Sequence, residues 1–306
     1  MTTVATRPAG GLAGLIRALR PLVSKSPLIS SAYRSWRDRR DLARIPEPTV
    51  LGFRFNGNED MARGAFEPIE TRHISRLLDE VAVVINVGAN IGYYCCLALH
   101  RGRRVVAFEP MPTNQRYLMR NVFVNGWEGR FELYPIALAD RSGLMEIWGG
   151  GTGASLIKGW SGQTYSTLVP VSTLDLTLGD RFSDETRLVI VDVEGAEADF
   201  LKGAGAMLSS AHPPIWFVEI TFGDHQPAGV TINPRLEEIF NAFHARGYRA
   251  MTADAAPRFV EIAEIADCAA RGVDPFHLHN FIFAPKARAD QILSLIRDET
   301  PASAPQ

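Results

Sequence analysis

Apolar residues fall along this chain in two kinds of run. Val83-Val84-Ile85, Val105-Val106-Ala107-Phe108, Leu188-Val189-Ile190-Val191 and Ile215-Trp216-Phe217-Val218 are unbroken blocks rich in β-branched and aromatic residues. Strands covered on both faces of a parallel sheet read in this way. Between the blocks, apolar positions return at helical spacing: Ile74, Leu77 and Leu78 within 70–80, then Tyr117, Leu118, Val122 and Phe123 within 114–125. Strand blocks alternating with helices predict an α/β fold. Further strands are expected at 131–137, 248–252 and 278–284, a crossover helix at 173–182, and helices at 234–246 and 290–297. Two alternating segments, 144–148 and 167–171, flank Gly149-Gly150-Gly151 and a polar loop. They predict a β-hairpin arm inserted at 143–172 with a long mobile tip, suited to a substrate lid. Residues 50–55 alternate like a strand before the turn signal Asn56-Gly57-Asn58. This gives an extension over 1–60, a main domain over 61–285, and a closing helix with a loose tail over 286–306.

The strand at 83–87 runs directly into Gly88-Ala89-Asn90-Ile91-Gly92-Tyr93-Tyr94. Gly88 and Gly92 lack a Cβ, so the backbone can bend sharply and approach a ligand while the new helix directs free N–H groups at it. The next strand ends in Glu109-Pro110. A carboxylate there is placed to accept both hydroxyls of a ribose. A dinucleotide site wants Gly-x-Gly-x-x-Gly, and here the middle position is Asn90 and the late one an aromatic. An aromatic there argues against a pyrophosphate, and the Gly-x-Asn-x-Gly turn with its later acid instead resembles the S-adenosylmethionine loop of Rossmann-like methyltransferases.

Five motifs then follow in order: Asn86-Val87-Gly88-Ala89-Asn90-Ile91-Gly92-Tyr93-Tyr94, Ala107-Phe108-Glu109-Pro110, Asn121-Val122-Phe123-Val124-Asn125, Ala137-Leu138-Ala139-Asp140 and Asp192-Val193-Glu194-Gly195-Ala196-Glu197. Together they resemble the FkbM family of methyltransferases over about 66–221. The resemblance implies a Rossmann-like class I methyltransferase sheet, mostly parallel with its last strand antiparallel, and S-adenosylmethionine as cofactor. It implies that Asn86, Gly88, Ala89, Asn90, Gly92, Glu109, Pro110, Ala137 and Asp192 hold the donor, with Ala137 against the adenine. Position 86 is often aspartate in such relatives and position 190 often lysine; Asn86 and Ile190 bring neither charge. An aromatic-Glu pair like Phe66-Glu67 also stands upstream of the turn in the family. Glu67 either faces the site or complements a helix dipole as a first-turn carboxylate.

Asp192 follows an otherwise apolar strand, and a carboxylate buried mid-sheet would be costly, so it belongs at the open strand end where doubly wound sheets bind ligands. Glu194 follows two residues on and shares that side if the extended backbone continues. Glu219 closes the next strand, and His225 lies in the polar loop beyond. If the acceptor is a hydroxyl, something must take its proton. Asp192, Glu194, Glu219 and His225 are the candidate bases, with Asp192 nearest the methyl and His225 the alternative, because imidazoles titrate near neutrality. His277 and His279 have no third ligand at metal spacing, so no metal is expected. Asn280 is placed to bond a strand end or substrate.

The formal net charge of −2 gives no basic field for nucleic acid. Three cysteines form neither a disulfide framework nor a metal spacing, which fits a cytoplasmic location. No apolar run reaches the roughly 18 residues of a membrane span. Leu12, Leu15, Ile16 and Leu19 suit either a membrane-surface helix or a helix docked on protein. The expected partner is a small-molecule or glycan acceptor, and the expected reaction O-methylation of a sugar, glycolipid or secondary metabolite. A catalytically silent binding module and, less favoured, an NAD-dependent oxidoreductase are the competing readings.

Overall fold

The computed structural model describes residues 40 and 42–297. The amphipathic segment at 12–19, most of the arginine-rich run at 33–44 and the C-terminal tail lie outside them. The chain divides into two units, Met1–Ile45 and Pro46–Gln306, and all the elements named below belong to the second.

Among the described residues the strands are β1 (Glu47–Pro48), β2 (Arg54–Phe55), β3 (Val83–Val87), β4 (Arg104–Phe108), β5 (Phe131–Tyr134), β6 (Ala137–Leu138), β7 (Gly143–Trp148), β8 (Ser166–Ser172), β9 (Arg187–Val191), β10 (Ile215–Glu219), β11 (Tyr248–Thr252), β12 (Phe259–Val260) and β13 (Asn280–Pro285). The principal helices are α1 (Pro68–Leu77), α2 (Tyr93–His100), α3 (Pro112–Phe123), α4 (Glu197–Lys202), α5 (Leu236–His244), α6 (Ile262–Arg271) and α7 (Ala289–Arg297). The main sheet has the order β12-β11-β13-β10-β9-β3-β4-β5. Pairing is parallel from β10 across to β5, and β13 inserts antiparallel between β10 and β11. The chain lays down β3, β4 and β5 in one direction and then returns to place β9 and β10 on the other side of β3. That reversal opens a crevice at the carboxyl ends of β3 and β9.

Alternate residues of each central strand enter different cores. In β9, Leu188 and Ile190 join the layer holding Ile74, Leu77, Cys95 and Ile292, while Val189 and Val191 join the layer holding Phe200, Phe240 and Phe243. Helices therefore cover both faces, which is why these strands carry no polar alternation. Ile190 packs at 2% exposure in the first layer, where a lysine ammonium would need a partner.

Several boundaries differ from the sequence expectation. Residues 131–137 do not form one strand: β5 ends at Tyr134, and β6 pairs with β8 in a separate three-stranded sheet with β7. Pro135 supplies the break, since it can donate no ladder hydrogen bond. The hairpin near the front pairs Glu47–Pro48 with Arg54–Phe55 rather than turning at Asn56-Gly57, and Phe53 and Phe55 enter the first core layer. The crossover helix at 173–182 shrinks to Leu174–Leu178. β13 follows helix α6, which was not among the helices expected from the sequence. That helix carries a legible signal: Glu261 and Glu264 form a reciprocal capping box, and Gly272 closes it at φ 65°.

Asn121 and Asn125, motif residues without an assigned role, hold this scaffold together. The Asn121 side chain accepts from Asn56 N–H at 2.7 Å and donates to the Ile91 carbonyl at 3.0 Å, while Asn125 accepts from Arg54 N–H and donates to its carbonyl. They tie β2 and the glycine bend to α3.

Candidate active site

Side chains of one face meet where β4, β3, β9 and β10 end. Parallel pairing aligns Val87 with Val191 and Val218 with Val191, so Gly88, Asp192 and Glu219 stand in a row; antiparallel pairing adds Asn280 beside Glu219. The row stands at the carboxyl ends of the strands, where the apolar blocks give way to polar side chains that border the crevice.

The bend at 88–92 is drawn tight by its own backbone. Gly88 and Ala89 N–H both donate to the Phe108 carbonyl at 3.0 Å, and Asp192 N–H donates to the Val87 carbonyl at 3.0 Å. Gly88 has φ 79°, and a Cβ on it would stand 1.7 Å from the Asp192 carbonyl oxygen. Asn90 adopts φ 50° and donates its N–H to Glu109 Oε2 at 2.7 Å. Glu109 Oε1 accepts from Met111 N–H at 2.8 Å and Asn114 Nδ2 at 3.2 Å. The Glu109 carboxylate thus faces the bend. Burial pushes its pKa up to about 7 against the opposing pull of these three donors.

Beside the bend lies a narrow slot, open at one side, with a cavity volume of ≈ 50 Å³. Gly88, Asn90, Glu109, Pro110, Ala137 and Asp192 are among the residues that line it. Two buried acceptors in this lining, Asn90 Oδ1 and Asp192 Oδ1, have no hydrogen-bond partner. Unpaired acceptors of this kind want N–H or O–H donors from a ligand. Not all expected donor residues line the slot. Asn86 is buried in the helix packing and donates its Nδ2 to Cys95 Sγ at 3.3 Å, and Gly92 acts as the N-terminal cap of α2 at φ 90°. Ala89 is buried at the turn itself.

The inserted arm forms one wall of the slot. Ile147, Gly151, Thr152, Ala154 and Leu156 line it. The segment is fastened at both ends: Asn114 Nδ2 donates to the Gly151 carbonyl at 3.1 Å, and Ser155 Oγ donates to the Glu194 carbonyl at 2.5 Å. Trp160 Nε1 donates to Glu194 Oε2 at 2.7 Å, under a ring so close that a Cβ on Gly195 would meet it at 2.4 Å. Glu194 itself sits at φ 53°. Its carboxylate serves as an anchor for the insertion, and Asn114, Ser155 and Trp160 are site residues that sequence reasoning missed. The tip is therefore not a free lid over the acceptor alone. Deleting 151–156 is expected to weaken donor binding at least about tenfold as well as raise acceptor KM, measured by calorimetry and steady-state kinetics.

Further carboxylates surround Asp192 outside the slot's own lining. Burial raises the pKa of Asp192 and of Glu219, and the next largest influences on each are neighbouring acids, Glu194 and Glu67 among them. Glu67, at φ 41°, accepts from Tyr94 Oη at 2.5 Å, and burial raises its pKa also. Glu197, the first residue of α4, is buried with Oε1 accepting from Gly195 N–H, and burial raises its pKa to about 7. Asn280 donates to Glu70 Oε1 at 3.4 Å. His225 is exposed at φ 63°, its ring edge-on to Trp160 at 6.1 Å and to His279 at 6.5 Å; His279 Nε2 pairs with Asp224 Oδ2 at 3.1 Å. Among the described residues no group of three or more His, Cys, Asp or Glu could hold a metal ion, and no helix is long and apolar enough to cross a membrane.

Residues 86–250, more than half of the chain, match the family described as the methyltransferase FkbM domain. The chain belongs to the FkbM methyltransferase family. Solved structures similar to it include the methyltransferase FkbM from Methylobacillus flagellatus KT, at 15% identity and TM-score 0.42, covering 73% of this chain and 59% of that one. A putative O-methyltransferase from Klebsiella pneumoniae follows at 11% identity and TM-score 0.37, covering 89% and 93%. A SAM-dependent O-methyltransferase from Thermotoga maritima shares 11% identity at TM-score 0.36, covering 72% and 65%. This FkbM protein thus spans 59% of the length of the Methylobacillus relative. No curated protein matches it. The family's methyl donor is S-adenosylmethionine, and the residues present fit it. The donor carries an ammonium, an exocyclic amine and a ribose diol, which answer the two orphaned acceptors and the Glu109 carboxylate, and the Gly88 cradle leaves the backbone approachable.

Proposed function

We propose that this FkbM protein transfers a methyl group from S-adenosylmethionine to a hydroxyl oxygen of a sugar, glycolipid or secondary metabolite. The observation that carries the reading is the unpartnered Asp192 Oδ1, buried in the slot wall next to the glycine bend and to Glu219. When bound, the donor supplies an electrophilic methyl on a sulfonium. The chain's part is to hold the donor's polar ends, orient the acceptor and take one proton.

Glu109 would hold the ribose diol, with Asn90 accepting from an N–H group of the donor and Ala137 and Leu138 lying against the adenine, and Asp192 either holds the donor or accepts the acceptor's proton. Asp192 is the favoured base, because its raised pKa brings a carboxylate closer to that of a proton acceptor useful near neutral pH. Glu219 shares its proton environment, and His225 is the alternative on the outer side of Trp160. Glu194 is less suited, since its Oε2 is committed to Trp160.

The test is calorimetric titration of S-adenosylmethionine and of NAD into the full chain. Micromolar binding of the first and none of the second is the expected result. Tight NAD binding would support an oxidoreductase, and silence toward both a binding module. Glu109→Gln is expected to weaken donor binding by about 2 kcal/mol, roughly thirtyfold, because charged hydrogen bonds to the ribose become neutral ones. An unchanged Kd for this variant would remove Glu109 from the donor site.

A further inference from the structure

We propose that Asn114 is a positioning residue that couples ribose occupancy of the donor slot to the arrangement of the inserted arm. The inference rests on the reading of that slot as the donor site.

Asn114 is 4% exposed, in the first turn of α3, and one nitrogen of its side chain serves two partners. Nδ2 donates to Glu109 Oε1 at 3.2 Å and to the Gly151 carbonyl at 3.1 Å. A single amide group therefore bridges the acid that would hold the ribose and the segment that walls the slot.

The number of acceptor positions on the acid forces the bridge to respond. A carboxylate oxygen offers two lone-pair positions. Glu109 Oε1 has both filled, by Met111 N–H and Asn114 Nδ2; Oε2 has one filled, by Asn90 N–H. A ribose diol brings two O–H groups to the carboxylate. One finds the open position on Oε2, and the other must displace a donor from Oε1. The Met111 N–H is a backbone group held at 2.8 Å, so the longer Asn114 bond is the one that yields. Released from Glu109, the amide keeps Gly151, so the setting of the arm between its two anchors, at Asn114 and at Glu194, changes with occupancy of the acid.

The test follows amide hydrogen exchange over 151–156 in the full chain with S-adenosylhomocysteine at saturation, in wild type, Asn114→Leu and Asn114→Asp. Wild type is expected to change several-fold. Both variants, while still binding the ligand by calorimetry, are expected to change less than about twofold. On wild type, 2′,3′-dideoxyadenosine, which has no diol, is expected to leave the segment unchanged; this arm needs no variant to fold. A full response in Asn114→Leu, or an equal response to the diol-less nucleoside, overturns the coupling and leaves the donor reading standing. Failure of S-adenosylhomocysteine to bind wild type overturns both.

Discussion

Gly88→Ala is expected to abolish donor binding and to destabilise the fold by about 2–4 kcal/mol, a fall in melting temperature of roughly 4–7 °C. Two separate penalties combine at this position. The backbone is at φ 79°, a region that costs an L-residue about 1–2 kcal/mol. The new Cβ would also stand 1.7 Å from the Asp192 carbonyl oxygen, and that oxygen belongs to the backbone, so no rotamer change relieves the overlap. The ends of β3 and β9 must move apart, carrying with them the orphaned Asp192 carboxylate and the slot wall. Gly102→Ala is the control. Its φ is also 79°, but the nearest atom to a Cβ is Arg130 Nη1 at 3.6 Å. It should lose only the conformational part, about 1 kcal/mol, with donor affinity unchanged. Equal effects of the two substitutions by thermal melting and calorimetry would show that the strand-end contact is unimportant.

Asp192→Asn is expected to move stability and activity in opposite directions. Burial and the surrounding acids hold the Asp192 pKa above its ordinary value. A carboxyl raised in this direction contributes most to stability below the unfolded pKa, and that contribution is lost as pH rises through the folded value. About 1.4 kcal/mol accompanies each tenfold change in the proton affinity of such a group. Glu109 and Glu197, both pushed up to about 7, and Glu219, raised in the same direction, add to the trend. The ligand-free wild type should therefore melt lower at pH 8.5 than at pH 5.5. The amide of the variant does not ionise, so Asp192→Asn should be more stable than wild type at pH 8.5 and close to it at pH 5. Methyl transfer should fall about 100-fold or more if the carboxylate takes the acceptor's proton. Full kcat in this variant would pass the base role to Glu219 or His225.

Much of the sheet could be read from the chain because a strand covered on both faces leaves an unbroken apolar block. Four such blocks became β3, β4, β9 and β10 in parallel register. Helix α6 was missed although its apolar residues Ile262, Ile265 and Cys268 recur at helical spacing and the Glu261/Glu264 cap and Gly272 mark both ends. The insertion was recognisable as an arm but misread in its docking. Ser155 and Trp160 lie 39 and 34 residues before Glu194, and nothing local in a glycine-rich tip says which wall it will touch. Likewise Asn90, Glu194, Glu67 and His225 occupy left-handed backbone without being glycine, a strain that local preference disfavours and only surrounding contacts can hold.

Residue order was enough to place the strand ends, and with them the acids that border the crevice, because the solvation cost of a carboxylate forbids it any earlier place in an apolar strand. It was enough for the family too, through motifs whose order survives where spacing alone is ambiguous. Which of those acids is free emerged only from the folded arrangement. Glu194 is spent on Trp160 and Glu109 is shared among three donors, while Asp192 is left with an unpaired oxygen facing the slot. Pairing between residues tens of positions apart is settled by how sheet, arm and helix pack, and that packing leaves no local trace in the residues that take part.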